Sequence, residues 1–263
     1  MKALIAPTER KISFAATGAV FIGRSIRHSL RNAEAMIMTM MLPVMLMLLF
    51  TYVFGGAFDE SGHYVQYVVP GIILLCAGFG SASTAADVCQ DMTGGIIDQF
   101  RTMPIRSMFV ITGHVVASLA RNSLATGVVI GVALLVGFRP AASAVEWIAA
   151  VGIILLFILA ITWLFAAIGL VAGSPAAASS YGFILLFLPY LSSAFVPIET
   201  MPHWLQGVAR HQPMTPVIET IRGLLLGNPV YAHAGAAIIW CLVIILISLI
   251  WGTWTFNRKA ARR

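Results

Sequence analysis

The sequence predicts an all-α membrane protein that crosses the bilayer with six helices. Of the 263 residues, 59% are hydrophobic and only 10% are charged, whereas an average soluble domain is roughly 45–50% apolar and about 25% charged. Long stretches also lack Asp, Glu, Lys and Arg, and the basic residues gather between them. This composition excludes a soluble globular domain, a disordered chain and a nucleic-acid-binding module, because those classes need far more charge or polarity.

The spans follow from the stretches that lack charge, because a charge at the bilayer centre costs at least about 2.5 kcal/mol. Five such stretches occur, at residues 35–58, 61–86, 122–138, 147–198 and 223–257. A spanning helix needs about 20 residues, so the fourth stretch must hold two helices, and Gly173-Ser174-Pro175 is the natural break. The predicted spans lie at about 35–54, 65–86, 117–138, 147–172, 177–196 and 233–255.

The basic residues predict the orientation of these spans. An even number of spans puts both termini on one side of the membrane. Thirteen of the 16 basic residues fall on that side: Lys2, Arg10, Lys11, Arg24, Arg27, Arg31, Arg101, Arg106, Arg121, Arg258, Lys259, Arg262 and Arg263. The positive-inside rule therefore makes both termini cytoplasmic, in the plasma membrane (the inner membrane of a bacterium).

Residues 1–34 form a cytoplasmic segment ahead of the first span. Arg24, Arg27, His28 and Arg31 recur at helical spacing within it, which predicts an amphipathic helix on the inner leaflet, with its basic side toward anionic headgroups. A solvated basic tail is the alternative. The six-span domain covers residues 35–257, and a short basic tail follows at 258–263.

The loop at 87–107 is patterned as a short cytoplasmic helix. Ile96, Ile97, Phe100 and Met103 make one apolar face. Pro104 ends the helix, because the residue before a proline disfavours helical backbone. A surface helix at about 94–103 is suited to docking a soluble partner.

The predicted outer region at 197–232 is rich in proline and holds two helical pieces, at about 202–211 and 216–226, that are too short to cross. We expect re-entrant half-helices at the outer interface. Four charged side chains are available to pair there: Glu199, Arg210, Glu219 and Arg222.

The motifs of catalysis and ion coupling are not found in the sequence. It lacks HExxH, GxSxG and P-loop patterns, and Ser81 and Ser83 fit close helix packing better than an intramembrane protease. The ten carboxylates fall in loops or at span edges, which disfavours ion-coupled transport. His114 and Arg121 are expected near the inner edge of the third span, within reach of the headgroups. The remaining energy source is a second polypeptide.

Two segments carry a family resemblance. Residues 91–107, DMTGGIIDQFRTMPIRS, resemble the loop between the second and third spans of type-2 permeases of ATP-binding-cassette (ABC) exporters, in the daunorubicin/doxorubicin-resistance branch. Residues 191–205, LSSAFVPIETMPHWL, with 212–216 and 221–223, resemble the fifth span and outer re-entrant region of that branch. The chain is identified as a member of this family.

The resemblance implies a permease that is not itself an enzyme and binds no cofactor. Its implied partners are two ABC ATPase subunits, which carry ATP and Mg²⁺, a second permease subunit, membrane lipid and an amphiphilic small-molecule substrate, with no nucleic acid. The residues implied to couple to the ATPase are Asp91, Gly95, Asp98, Phe100, Arg101 and Pro104. Those implied in the outer re-entrant region are Pro197, Glu199, Pro202, Pro213, Pro216 and Arg222. The chain departs from the family at His114, where Lys or Arg is common.

The substrate class also follows from the resemblance, which implies export of a hydrophobic drug-like or lipid-like molecule. Candidate residues along its path are Met45, Tyr67, Phe183 and Phe187. Half of the methionines lie in the first span, and Met-rich surfaces adapt to varied apolar ligands, but simple lipid-facing packing explains them equally well. A non-transporting assembly or sensor subunit that docks a cytoplasmic protein is the alternative function.

Overall fold

Every regular element in the described part of the chain is helical. The structure is a computed structural model that describes residues 33–58, 63–94, 108–227 and 231–261. Its helices are α1 Ala33–Leu48, α2 Tyr64–Thr93, α3 Met108–Val136, α4 Ala144–Val171, α5 Pro175–Leu186, α6 His203–His211, α7 Met214–Leu226 and α8 Tyr231–Ala261. A π-helical stretch at Leu49–Phe54 continues α1, followed by a helical turn at Gly55–Phe58.

Within the described residues, five segments are long and apolar enough to cross a membrane. They are Thr39–Ala57, Tyr64–Thr93, Ile111–Val136, Ala144–Val171 and His233–Phe256, which confirms the first four predicted spans and the last one. The predicted amphipathic helix before residue 33 lies outside the described residues. So does the predicted coupling helix beyond Gly94, together with the last two residues of the basic tail.

Helix α4 begins and ends at sequence signals. Ser143 caps its start: the Ser143 amide donates to Glu146 Oε2 at 2.7 Å, and the Ser143 hydroxyl accepts from the Glu146 amide. The helix ends at Val171, and α5 begins at Pro175. The predicted break at Gly173-Ser174-Pro175 is therefore confirmed. Its physical basis is that proline suits the first turn of a helix and disfavours helical backbone in the residue before it.

The fifth predicted span is not one continuous helix. Helix α5 has 12 residues, too few to cross alone, and it gives way to a 3₁₀ turn at Pro189–Leu191 and to irregular backbone beyond. Pro189 is one physical reason, since it lacks the N–H that would continue the helical ladder. We call residues 187–196 the broken segment.

The chain from Ala172 through the broken segment runs antiparallel to α2. Cys89 Sγ lies 3.5 Å from the Ala172 carbonyl, and a Cβ on Gly182 would lie 2.8 Å from that of Ala82. At the far end, Gly71 and Tyr64 touch Ala194 and Phe195, respectively. These contacts cover nearly the whole length of α2, which rises about 38 Å between Tyr64 and Cys89.

Helix α2 is the centre of the bundle. Of its most apolar 18-residue stretch, 78% is buried, a larger share than in the other four long helices described. Helix α2 packs against α1, α3, α4, α5 and α7. Small residues permit this close packing: a Cβ on Gly169 of α4 would lie 2.5 Å from the Ala85 carbonyl oxygen. The two ends of α2 define two ends of the bundle, here called the Tyr67 end and the Asp91 end.

The two shorter helices α6 and α7 follow the broken segment. Their bounds agree to within two residues with the two helical pieces predicted at about 202–211 and 216–226. Helix α7 packs against α2, α4 and α8 and ends at Gly227, whose φ of +74° is the left-handed conformation that glycine adopts without strain. The packing of α7 brings Arg222 to the Tyr67 end of α2.

Candidate functional site

Three side chains from other elements hold the backbone of the broken segment. Gln212 Nε2 donates to the Leu191 carbonyl at 2.7 Å, and Tyr64 Oη donates to the Phe195 carbonyl at 2.6 Å. Arg222 Nη2 donates to the Ser193 carbonyl at 2.7 Å. Carbonyls that lie outside a helical hydrogen-bond ladder need other donors, so these side chains stabilise the break.

Arg222 is the most connected of the three. Its side chain is 8% exposed and pairs with Glu219 through Nη1. Nη2 also donates to the Tyr67 carbonyl at 3.0 Å, and the guanidinium carbon lies 3.8 Å from the centroid of the Tyr67 ring. A planar guanidinium can donate in several directions while it stacks on an aromatic ring. Arg222 thereby joins α7, α2 and the broken segment at one point.

Aromatic side chains surround the same segment. The Phe195 ring stacks on Phe50 and on Tyr190, at centroid distances of 4.4 and 4.9 Å. On the opposite side the backbone approaches α2 so closely that a Cβ on Gly71 would lie 2.6 Å from Ala194 Cβ. Only glycine leaves room for this approach.

The other residues predicted for the outer region lie in the turns around α6 and α7. Pro197 precedes the 3₁₀ turn at Ile198–Thr200, while Pro202 and Pro213 directly precede α6 and α7. Pro216 is buried in the first turn of α7. The predicted pairing of charges is present as Arg222 with Glu219 and Arg210 with Glu199.

At the other end of the bundle, Asp91 lies in the last turn of α2. Its Oδ2 atom is 2.7 Å from His114 Nε2, in the second turn of α3. The remaining residues predicted to couple to the ATPase lie outside the described residues: Gly95, Asp98, Phe100, Arg101 and Pro104. The described residues therefore include the end of α2 and the start of α3, the two helices that the predicted coupling loop connects.

Arg121 does not extend toward the headgroups as expected. The residue is 7% exposed, its Nη2 donates to Ser83 Oγ, and its Nη1 lies 3.8 Å from Asp87 Oδ2. The reason is that α2 presents a hydroxyl, a carbonyl and a carboxylate opposite Arg121, so the charge finds partners inside the protein instead of at the membrane surface.

A cluster of neutral polar groups lies beside Arg121. The Asn122 amide has its terminal atoms 3.0 Å from Ser81 Oγ and 3.2 Å from Ser118 Oγ and from the Gly80 carbonyl. When the Asn122 amide nitrogen faces the Gly80 carbonyl, the nitrogen donates to that carbonyl and the amide oxygen accepts from Ser81 and Ser118. Ser81 Oγ is also 3.1 Å from Thr162 Oγ1. This polar cluster links α2, α3 and α4, and its hydrogen bonds place Ser81 in the interface between these helices.

We expect Gly80→Ala to disrupt the polar cluster. The new Cβ would lie 1.8 Å from a terminal atom of the Asn122 amide and 3.0 Å from Thr39 Cγ2. The expected loss is about 2 kcal/mol of unfolding free energy, the scale of overpacking in a filled core. Denaturation in mixed micelles measures it.

Gly78→Ala is the matched control, because nothing lies within 4 Å of a Cβ at Gly78 on the same helix. Both substitutions favour helix equally, so the difference between them isolates the clash. Equal stability of the two variants would contradict the packing described here.

Three of the four residues proposed for a substrate path have described side chains, and these three lie in different surroundings. Met45 is 57% and Phe187 is 65% exposed on the surface of the chain, whereas one face of the Tyr67 ring is covered by Arg222. Phe183 belongs to α5, but its side chain lies outside the described part of the chain. Tyr67 therefore packs against Arg222 inside the chain, whereas Met45 and Phe187 lie on the surface of the chain.

Several residues at the Tyr67 end were not found by sequence reasoning. Tyr64, Ser193 and Phe195 sit at ordinary positions in apolar stretches, and the contact between Tyr64 and Phe195 spans 131 residues of sequence. No local pattern marks such a contact. The serine pair and the following Pro197 were a weak signal that the fifth helix breaks, because these residues favour turns.

The sequence of the chain is similar to one family model and to several known proteins. A family model described as ABC-2 type transporter matches residues 19–226. The chain is 30% identical over 197 residues to the daunorubicin resistance ABC transporter permease protein DrrB1 of Streptomyces coeruleorubidus, covering 74% of this chain and 70% of that protein. It is 22% identical over 221 residues to a probable doxorubicin resistance ABC transporter permease protein of Mycobacterium tuberculosis, covering 82% and 79%. A putative transport permease of Cyanophora paradoxa is 26% identical over 199 residues, 71% of this chain and 66% of that one.

Proposed function

The chain belongs to the ABC-2 type transporter family, and from this membership we propose that it is the permease subunit of an ATP-driven exporter. In this proposal it forms the membrane path for hydrophobic drug-like or lipid-like molecules and moves them out of the cell. A separate ATPase supplies the energy, so ATP and Mg²⁺ bind to that subunit and this chain binds no cofactor. The observation that carries the proposal is the family match over residues 19–226, supported by relatives named as drug-resistance permeases.

The proposed topology has six crossings. The chain from Ala172 to Phe195 follows α2 antiparallel over about 38 Å of helix rise, which exceeds the roughly 30 Å hydrocarbon layer. Helix α5 and the broken segment together therefore form the fifth crossing, in which Ser192 to Phe195 are buried and contact α2 and α7. Both termini then lie on one side of the membrane.

The proposed orientation places the Asp91 end in the cytoplasm and the Tyr67 end outside. Its support is the excess of Lys and Arg in the segments assigned to the cytoplasmic side. At the outer end, α6 exposes Trp204, with 76% of its surface accessible. Tryptophan favours the headgroup level of a membrane, which suits α6 as a half-helix at the outer interface.

A second permease subunit completes the proposed path. Met45 on α1 and Phe187 at the start of the broken segment lie on the outer surface of the single chain. A path that uses these side chains needs an opposite wall, and another permease of this kind supplies it. The assembly then contains two permease subunits and two ATPase subunits.

The proposed mechanism transmits ATPase closure through the loop at 95–107. The ATPase pair pushes on the predicted helix at 94–103 and on the N-terminal helix. Helix α2 and the fifth crossing move together, because their contacts extend from Cys89 to Tyr64. Their movement relative to the second subunit expels the solute.

The docking step predicts a large effect for Phe100→Asp. Phe100 belongs to the apolar face of the predicted helix, and a carboxylate there would oppose burial against the ATPase. We expect loss of both ATPase co-purification and export. Gln99→Asp is the control, because it adds the same charge to the opposite, polar face and should leave docking intact. Retained export by the Phe100→Asp variant would remove the coupling role.

The function itself is tested by reconstitution. The permease is purified with the ATPase that binds it and placed in liposomes, and ATP hydrolysis is measured against a panel of cationic and neutral amphiphiles. We expect stimulation together with movement of the amphiphile across the bilayer. An ATPase that co-purifies but responds to no amphiphile would favour the alternative, a non-transporting membrane subunit that docks a cytoplasmic protein.

A further inference from the structure

A pair of polar side chains joins the two helices that flank residues 95–107, the central part of the loop predicted at 87–107. Asp91 Oδ2 and His114 Nε2 are 2.7 Å apart, and the side chains of His114 and Asp91 are only 20% and 25% exposed. Asp91 lies in the last turn of α2, and His114 lies in the second turn of α3. The pair therefore links α2 to α3 close to the two ends of this loop, which we call the base of the loop.

Further polar contacts continue along the same helix pair, deeper in the bundle. Asp87 Oδ2 lies 3.8 Å from Arg121 Nη1, and Thr84 Oγ1 donates to Ser118 Oγ at 2.6 Å. Of these contacts, the Asp91–His114 pair is the one nearest the loop. Without it, the last turn of α2 would lose its polar link to α3 at the point where the loop leaves.

We propose that His114 is a positioning residue for energy coupling. Its N–H donates to Asp91 and holds the base of the loop, so that a push on the loop displaces α2 and α3 as one unit. This inference rests on the proposed function, because it takes the loop as the element on which the ATPase acts. It gives His114, which touches neither ATP nor solute, a role in the transport cycle.

The chemistry of the pair predicts which substitutions preserve it. Arginine keeps an N–H donor that can reach a carboxylate, whereas alanine removes the donor and leaves Asp91 without this partner. Exchanging the two residues, as Asp91→His with His114→Asp, restores both halves of the pair in the opposite order. A residue that only filled space would not respond in this pattern.

The test measures hydrolysis by the assembled transporter, with and without a stimulating amphiphile. We expect His114→Ala to lower the ratio of stimulated to basal hydrolysis roughly fivefold, the scale of one partly exposed side-chain hydrogen bond. The ATPase should still co-purify. His114→Arg and the exchanged double variant should return the ratio to within about twofold of the wild type. Gln90→Ala, an exposed change beside Asp91, is the matched control and should have no effect.

Two results would overturn the proposal. One is a wild-type ratio in the His114→Ala variant, and the other is a loss that neither His114→Arg nor the exchange restores. Asp91→Leu, which keeps the approximate size of the side chain but removes the acceptor, tests the same contact should His114→Ala fail to reach the membrane. A wild-type assembly that no amphiphile stimulates would instead count against the proposed function, so the two failures are distinguishable.

Discussion

Replacing Arg222 with methionine is expected to abolish export and to lower the free energy of unfolding by about 3–5 kcal/mol, the cost of removing one partner of a buried ion pair. Methionine keeps much of the apolar stem but none of the donors. Glu219 loses its cation, and the carbonyls of Ser193 and Tyr67 lose their hydrogen bonds to the guanidinium. Because these carbonyls lie on two different elements, the broken segment would no longer be held to α2.

Arg210 supplies the matched control for Arg222. It lies in the neighbouring helix α6 and pairs with Glu199 at 3.8 Å, but the two side chains are 55% and 74% exposed. Exposed pairs contribute about 0–1 kcal/mol, so Arg210→Met should leave stability and export nearly unchanged. Denaturation in mixed micelles and export from liposomes measure both variants.

A lysine at position 222 refines the same prediction. Its ammonium is a compact charge without the planar fork, so it can pair with Glu219 but cannot also reproduce the stacking on Tyr67. We expect Arg222→Lys to lie between the wild type and Arg222→Met in stability. If Arg222→Met were as stable as Arg210→Met, the role assigned to Arg222 would be wrong.

The second large effect is expected for Gly71→Ala. The added Cβ would lie 2.6, 2.8 and 2.9 Å from Ala194 Cβ, Cα and O. Two of these atoms belong to the backbone, so a rotamer change cannot relieve the clash. The clash at Gly80 differs, because it involves the side chain of Asn122. We expect α2 and the broken segment to separate, at a cost of about 3 kcal/mol or more, with loss of export.

Measurements of stability and export together test the contact between Gly71 and the broken segment. Gly78→Ala, seven positions along α2 and facing open space, again controls for the change in helix propensity. A further change, Tyr64→Phe, removes only the hydrogen bond to the Phe195 carbonyl and should cost about 1–3 kcal/mol. A Gly71→Ala variant that exports at the wild-type rate would show that the close approach of Gly71 and Ala194 is not needed.

Much of the architecture was predictable because it depends on local composition. The absence of charge over long stretches predicted five of the spans, and Ser174 with Pro175 predicted where α4 and α5 separate. The fifth span was wrong as a continuous helix, since an apolar composition measures only whether a segment suits lipid. Hydropathy does not register that Pro189 interrupts the helical ladder or that side chains elsewhere can satisfy the freed carbonyls.

The positions of charged residues were only partly predictable. The partners of Arg222 and Arg210 were foreseen as a group, because four charges fall within one short region. Arg121 was misplaced, because its depth in the bundle depends on Ser83 and Asp87 across the interface with α2. A sequence window around Arg121 contains no trace of these partners.

The sequence by itself determined the class of protein, the rough limits of five long helices, the excess of basic residues on one side and the family resemblance. These properties depend on solvation of segments and on local backbone preferences, which neighbouring residues dictate. Only the tertiary structure decided that Arg222, Tyr64 and Gln212 hold the broken segment, that Gly71 seats it, and that His114 meets Asp91. Such contacts join residues far apart in sequence, and they exist only because the packing of α2 at the centre brings the other helices around it.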